Sequence, residues 1–304
     1  MWPTRSALSA QLDAGLQNFS ATRQPLLGIA QSAHRSTLVM QMVASLRRLD
    51  YTRAIKGRAI AGNRADPRSR YFEPERAAAL FMRQGQIDEG IWLIFLATHF
   101  GQHGRHSWRM LKDVYSELGA GLWSWSRVSA NPAQFSSWLA KNARNIGGAF
   151  GNHRKYETLD PKSHASTANI VDSFVKCFVP SPAQWFANLA RATGNDPHKV
   201  FDAAYHGMQV DRFGRLAKFD FLALLGRLDL APIAPGSAYL SGATGPLRGA
   251  RLLVDGDPKS TSRAATLDSI LQDLDQTLGV GMQVMEDSLC NWQKSPNHFV
   301  HFKG

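Results

Sequence analysis

An all-α, mostly helical fold is predicted from three observations. Apolar residues recur at three- and four-residue spacing along most of the chain, Pro follows a capping side chain at three separate points, and alternating Val/Ile/Thr runs bounded by hairpin turns are missing. Any sheet is therefore expected to be small.

Taken in order, residues 1–35 read as a helical N-terminal arm, and residues 36–304 as the main domain. Leu38, Met42, Leu46 and Leu49 put one apolar stripe on a helix between Ser36 and Ala54, with Arg47, Arg48 and Arg53 around its outer face. Three further helices are predicted over 74–84, 87–100 and 108–118, separated by Gly-containing turns. The middle one contains Ile91-Trp-Leu-Ile-Phe-Leu-Ala97, apolar almost all round, which predicts a central position. Asn131-Pro132, Ser181-Pro182 and Asp196-Pro197 each join a side chain that can accept a backbone N–H to a Pro preset for the first helical turn. Near the C-terminus, residues 248–262 read as irregular, after which Leu267, Ile270, Leu271, Leu274 and Leu278 resume helical spacing.

With 44% hydrophobic residues and eight Trp, the 304-residue chain can bury a substantial core. No apolar run approaches the roughly 20 residues that cross a bilayer. The N-terminal Met1-Trp-Pro-Thr-Arg5 lacks the apolar stretch of a secretory leader, and Cys177 and Cys290 cannot form a disulfide framework. A cytoplasmic protein with reduced thiols, no membrane and no obligate protein partner is expected. The net charge of +11 favours a polyanion, because bound phosphates release their counterions. No acid occurs between Asp13 and Asp50 or between Glu117 and Glu157, and Arg outnumbers Lys by 24 to 11. A planar guanidinium grips phosphate with two hydrogen bonds and stacks on bases, so the bias suits nucleic acid better than a membrane surface. A merely soluble basic protein with Arg-rich codon usage is the alternative.

Several segments can carry chemistry. Gly214 stands directly before a helix whose apolar face lies behind Ala217, the layout of a helix-hairpin-helix, in which helix N–H groups accept a DNA phosphate and Arg215 and Lys218 reinforce it. A plain helix start reads the same way. Asp220 stands out among Phe219, Phe221 and Leu222, because an acid in such company is costly unless catalytic or paired, here with Arg215 or Arg251. Ser241-Gly-Ala-Thr-Gly245 leads into a basic stretch as either an anion-binding turn or a tight structural one, and without a Gly-Lys-Ser/Thr ending it is no nucleotide triphosphate loop. Phe150-Gly-Asn-His-Arg-Lys-Tyr156 concentrates amide, imidazole, cation and phenol after Gly147-Gly148, as a loop that grips phosphate and stacks an extruded base would, or as a solvated basic loop would. His99, His103 and His106 have ligand-like spacing, but Gly101 and Gly104 interrupt a common helix and no second motif accompanies them, so no metal and no cofactor are expected.

Six stretches together carry a resemblance to a known family: Gly62-Asn-Arg-Ala-Asp66, Ala97-Thr-His-Phe-Gly101, Phe150–Tyr156, Gly214–Gly226, Gly242–Arg251 and Met285–Lys294. Over about residues 36–304 the chain resembles the alpha-glutamyl/putrescinyl thymine pyrophosphorylase clade 3 family. That family is similar to helix-hairpin-helix DNA glycosylases and is tied to hypermodified pyrimidines in bacteriophage DNA. The resemblance implies a two-lobed, glycosylase-like helical core with double-stranded DNA crossing a cleft. Ordinary relatives of that superfamily carry a catalytic Asp in a turn beyond the hairpin, where this chain has Ser241-Gly-Ala-Thr-Gly245 instead. A different acid must then serve, with Asp220 first and Asp66 and Asp229 behind it.

Excision of a hypermodified base, in defence against phage, is the function expected on this basis. Asn63, His99, Asn152, His153 and Tyr156 would hold the base, and Arg64, Arg154, Lys155, Gly214, Arg215, Lys218, Gly245, Arg248 and Arg251 the phosphates. A transferase that builds the modification on a pyrophosphorylated hydroxymethylpyrimidine, and a non-catalytic module that binds modified DNA, are the alternatives.

Overall fold

Fourteen α-helices and two isolated bridges, with no strand, make up the described residues of the chain, which in this computed structural model are 3–301. Met1 and Trp2, at the start of the stretch read for a leader, and residues 302–304 lie outside them. The all-α prediction holds.

The helices run as α1 (Ser6–Thr22), α2 (Ser32–Gly57), α3 (Pro74–Arg83), α4 (Ile87–Phe100), α5 (Arg109–Tyr115), α6 (Trp125–Ala130) and α7 (Pro132–Asn142). They continue as α8 (Thr167–Phe178), α9 (Pro182–Ala192), α10 (Pro197–Gly207), α11 (Arg215–Arg227), α12 (Gly245–Asp255), α13 (Ala264–Leu278) and α14 (Met282–Trp292). All three Pro-marked starts form as their chemistry dictates. Asn131 Oδ1 accepts from Gln134 N at 3.0 Å, Ser181 Oγ from Gln184 N at 3.1 Å, and Asp196 Oδ1 from His198 N at 2.9 Å. Each such cap is worth about 1 kcal/mol.

The chain divides into two compact units, residues 1–51 with 235–304, and residues 52–234. In the first, Leu12, Leu16 and Phe19 of the N-terminal segment share a core with Leu38 and Met42 of α2, Leu271 and Leu274 of α13, and Trp292 of α14. The segment 248–262 departs from its irregular expectation, since α12 extends to Asp255 and only the residues after it are irregular. The cause is tertiary packing. Gly245 and Gly249, one turn apart, turn the same side of α12 to α14, where a Cβ on Gly249 would overlap the Leu289 carbonyl oxygen and one on Gly245 would press on Cys290 Sγ. Two missing side chains thus let the helix axes approach closely.

The second unit is organised around α4. Ile91, Trp92, Leu93, Ile94, Phe95 and Leu96 have no exposed surface, so the central position read from the sequence is met. Ala77, Ala78 and Ala79 of α3 seal one side, and α9 and α11 pack on others. Stacked rings continue the core from Trp92 and Phe95 through Phe174 and Phe178 of α8, with Phe95 and Phe174 centroids 3.8 Å apart. Glu89, in the first turn of α4, is satisfied internally. It accepts from Tyr115 Oη and, at 2.7 Å, from Trp125 N, while burial pushes its carboxyl above the ordinary range.

Candidate functional site around Arg154

The C-terminal end of α4 gathers three of the segments singled out by sequence. Gly101 ends the helix at φ 66° and ψ 154°, a conformation open to glycine only. Here the 150–156 loop docks, with Gly151 N donating to Phe100 O at 2.7 Å. A Cβ on Gly151 would lie 2.9 Å from Gly101 C, so both glycines are required by the same contact. From this fixed point Asn152–Arg154 forms a single 3-10 turn.

Arg154 turns inward from that turn. Its Nε donates to Thr98 O at 3.0 Å, one of the terminal carbonyls of α4, and its guanidinium carbon lies 5.2 Å from the Phe213 ring centroid just before α11. Burial pulls the Arg154 pKa down, and the carboxylates of Asp220 and Glu157 act against that pull. Glu157 in turn accepts from Arg212 Nε at 2.7 Å. One guanidinium therefore ties the end of α4, the basic loop and the α10–α11 connection into a single electrostatic unit. Arg154, one of the cations expected on a phosphate, is half-buried and held here through its Nε.

Asp220 also departs from expectation in its setting. Phe219 and Phe221 on either side are buried, yet Asp220 itself sits on the exposed face of α11. Helical rotation separates sequence neighbours that a linear reading groups together. Its carboxylate raises the Arg154 pKa against the pull of burial.

His99 is closed off, with 1% of its surface exposed, against an expectation that it meets a base. Its ring stacks on Phe95 and meets Phe150 edge-on, and Nε2 pairs with Thr167 Oγ1 at 3.0 Å. Burial first and the nearby Arg154 second push its pKa down to about 3, so it is neutral at physiological pH and acts as a support for the loop. His103 and His106 stack on each other, 4.9 Å between centroids, in a separate turn. Among the described residues no cluster of His, Cys, Asp or Glu is arranged to hold a metal.

The remaining candidates are scattered. Asn152, His153, Lys155 and Tyr156 are exposed on the loop, and Tyr156 at 73% is the most exposed of the large apolar or aromatic side chains described. Lys155 Nζ lies 5.2 Å from the Tyr156 ring centroid. Arg215 covers the Phe219 ring at 5.1 Å, whereas Lys218 reaches back to Tyr205 O at 3.3 Å and loses basicity through burial. Gly214 is the N-cap of α11 with an ordinary φ of −69° and open space where a Cβ would stand, so neither strain nor protein packing demands glycine there.

Asn63 is exposed, but Arg64 is engaged with Glu73 at 2.6 Å, and Asp66 Oδ1 accepts from Arg68 N at 2.9 Å as a turn former. Asp229 pairs with Lys56 at 2.7 Å and borders a cavity of about 580 Å³ lined by Ile87, Phe186, Ala190, Leu230 and Pro232. That cavity lies at the N-terminal end of α4, about 20 Å along the helix axis from the Arg154 cluster at 1.5 Å per residue. Gly245, Arg248 and Arg251 belong to the other unit; Arg251 donates to Ser262 O at 3.2 Å, and Arg248 is exposed.

A family described as alpha-glutamyl/putrescinyl thymine pyrophosphorylase clade 3 matches residues 33–304. The chain belongs to that family. No curated protein and no solved structure matches the chain. The name of the pyrophosphorylase family ties it to enzymes of modified thymine. Among the described residues no helix is long and apolar enough to cross a membrane. Within this clade 3 chain, Ala97–Gly101 and Phe150–Tyr156 meet at the Gly101–Gly151 contact, and Phe213 beside Gly214 joins them through Arg154. The sequence reading missed Thr98, Phe213, Glu157 and Arg212, which hold the loop to its neighbours. Their only signal was proximity in sequence to residues already chosen.

Proposed function

We propose that the chain is a DNA glycosylase-like enzyme that flips a bulky 5-substituted pyrimidine out of double-stranded bacteriophage DNA and hydrolyses its N-glycosidic bond. The observation that carries this reading is the exposed Asp220 carboxylate, within the field of a half-buried Arg154 whose own loop presents Asn152, Lys155 and Tyr156 to solvent. An aromatic ring, an amide and a carboxylate are the groups that extrusion and cleavage of a base require. Asp220 stabilises the positive charge that develops on the sugar and takes a proton from the attacking water. The water oxygen bonds to C1′ as the C1′–N bond breaks, and the base leaves with that electron pair. Asn152 and His153 hydrogen-bond the base edge, Tyr156 stacks on it, and Lys155, Arg215 and the amides after Gly214 hold phosphates.

Asp66, which closes a local turn, and Asp229, which pairs with Lys56, stand behind Asp220 as candidates for the acid. The enzyme works alone in the cytoplasm, without a cofactor, in defence against phage. To test this, purified protein is incubated with phage DNA carrying hypermodified pyrimidines and with unmodified DNA, and free base and alkali-labile sites are measured. Release from modified DNA, reduced about 100-fold or more by Asp220→Asn, supports the reading, since a positioned acid or base contributes about 10²–10⁴ in rate. No release from any modified substrate overturns it.

The family name favours a second reading, a transferase or pyrophosphorylase acting on 5-hydroxymethylpyrimidine pyrophosphate in DNA. It predicts a gain of mass on intact DNA and no abasic sites. A module that only binds modified DNA predicts that Asp220→Asn leaves protection in cells unchanged.

A further inference from the structure

The turn after α4 has no part in the chemistry proposed above. Residues 90–112 contain no acid, and the segment from Gly101 to Arg109 is fastened alongside the basic loop at two points. Gly151 N donates to Phe100 O at 2.7 Å, and Gly147 N donates to Asp113 Oδ2 at 2.9 Å, an oxygen that also receives Arg109 Nε at 2.8 Å. Asp113 is the nearest acid in the sequence, and Arg109 pairs with it.

Between the fastenings, His103 N donates to Ser107 O at 3.1 Å and Ser107 N to His103 O at 2.8 Å, closing a tight loop over Gly104, Arg105 and His106. The His103 ring caps that loop from within, because its Nδ1 accepts from Arg105 N and from His106 N, each at 3.2 Å. Both partners are backbone donors, so the neutral ring must carry its proton on Nε2. That Nε2–H has no protein acceptor among the described residues, and the Arg105 side chain, exposed on the loop, has no protein partner either. Other guanidiniums do have them: Arg35 is paired with Asp13, Arg64 with Glu73, Arg127 with Glu117 and Arg212 with Glu157. A cation and a donor of fixed tautomer, displayed on a hydrogen-bonded, acid-free turn, suit a tetrahedral oxyanion.

We propose that the His103–Ser107 turn is a phosphate site, with Arg105 and His103 Nε2–H as its donors, that grips a phosphodiester of the nucleic-acid backbone flanking the 150–156 loop. The assignment rests on the reading of DNA as the partner, but not on base excision. The same donors would take a free diphosphate, and the test separates the two sources.

Binding of unmodified duplex DNA to the full chain is measured by fluorescence anisotropy across a salt series, with inorganic pyrophosphate as competitor. Arg105→Ala is expected to weaken binding about 10-fold at low salt and to lower the salt slope by about 0.9, the loss of one phosphate contact. His103→Asn, which keeps an acceptor for the two backbone N–H groups and removes the Nε2 donor, is expected to weaken binding several-fold with an unchanged circular dichroism spectrum. Arg23→Ala, an exposed cation in the other unit, removes the same charge and is expected to bind like the wild type.

Competition by millimolar pyrophosphate that depends on Arg105 adds free diphosphate as a ligand of the site; competition without that dependence leaves the backbone phosphodiester as its source. Folded Arg105→Ala and His103→Asn variants with wild-type affinity and salt slope would overturn the proposal. So would an equal loss in Arg23→Ala. Neither result bears on whether a base is released, and a failure of base release leaves this measurement intact.

Discussion

Arg154 Nε donates to the Thr98 carbonyl at 3.0 Å, and this bond fastens the basic loop to the end of the central helix. Replacing Arg154 with Met would leave a helix-terminal carbonyl without its donor and remove the internal cation that offsets Asp220 and Glu157. A hydrogen bond to a charged group contributes about 1.5–3 kcal/mol, so Arg154→Met is expected to lose about 2 kcal/mol in urea denaturation. Arg154→Lys should recover only part of the loss, because an ammonium cannot reproduce the planar fork. A variant as stable as the wild type would show that the loop is held by its glycines alone.

The glycines divide into two kinds. Gly151→Ala drives a methyl group to within 2.9 Å of backbone at Gly101, and overpacking of that sort costs about 1–3 kcal/mol. Gly214→Ala meets nothing within 4 Å and keeps an ordinary φ, so its stability should stay within about 0.5 kcal/mol of wild type. If a phosphate approaches the backbone at Gly214, DNA affinity falls in Gly214→Ala while stability does not. Thermal melts and binding titrations on the same samples decide this.

In the other unit, Gly249→Ala is expected to destabilise by about 3 kcal/mol, since its methyl group meets a backbone carbonyl that cannot move without shifting α14. Gly245→Ala should cost less, because its obstacle is the end of the Cys290 side chain. Equal melting temperatures for the two variants would contradict the helix crossing described.

His99 makes stability depend on pH. Its folded pKa is about 3 against an ordinary 6.5, so between those values the unfolded chain binds a proton that the folded chain refuses. Stability from this group is complete above pH 6.5 and is lost as pH falls toward 3, with a limiting slope of about 1.4 kcal/mol per pH unit. Glu75 and Glu89 act in the opposite sense, because burial raises their folded pKa above 4.5, so the stability they add at low pH is lost as pH rises through their folded values. His99→Gln, which can still pair with Thr167, should flatten the acid limb of the profile and leave the carboxylate contribution in place. An unchanged limb in urea titrations between pH 4 and 7 would remove His99 as its source.

Local chemistry was legible in the sequence wherever a side chain acts on its own backbone. The caps at Asn131, Ser181 and Asp196 and the all-apolar run in α4 could be read directly, because their causes lie within a few residues. The setting of each charged group could not. That Arg154 Nε meets Thr98 O depends on a contact between residues 101 and 151, and the extension of α12 to Asp255 depends on a backbone surface that α14 supplies. The His103–Ser107 turn shows in sequence as His spacing within the acid-free residues 90–112, but the tautomer of His103 depends on the fold of the turn.

The division of the chain has a consequence for the order in which it matures. Residues 52–234 are a continuous stretch, whereas residues 1–51 depend on 235–304 to complete their core. During synthesis the stretch bearing α4 and the Arg154 cluster is finished while Leu12, Leu16 and Phe19 still lack Leu271, Leu274 and Trp292. The N-terminal segment therefore spends the longest time with its apolar face uncovered, and that face, far in sequence from its partners, is where a nascent chain of this protein most needs protection from aggregation.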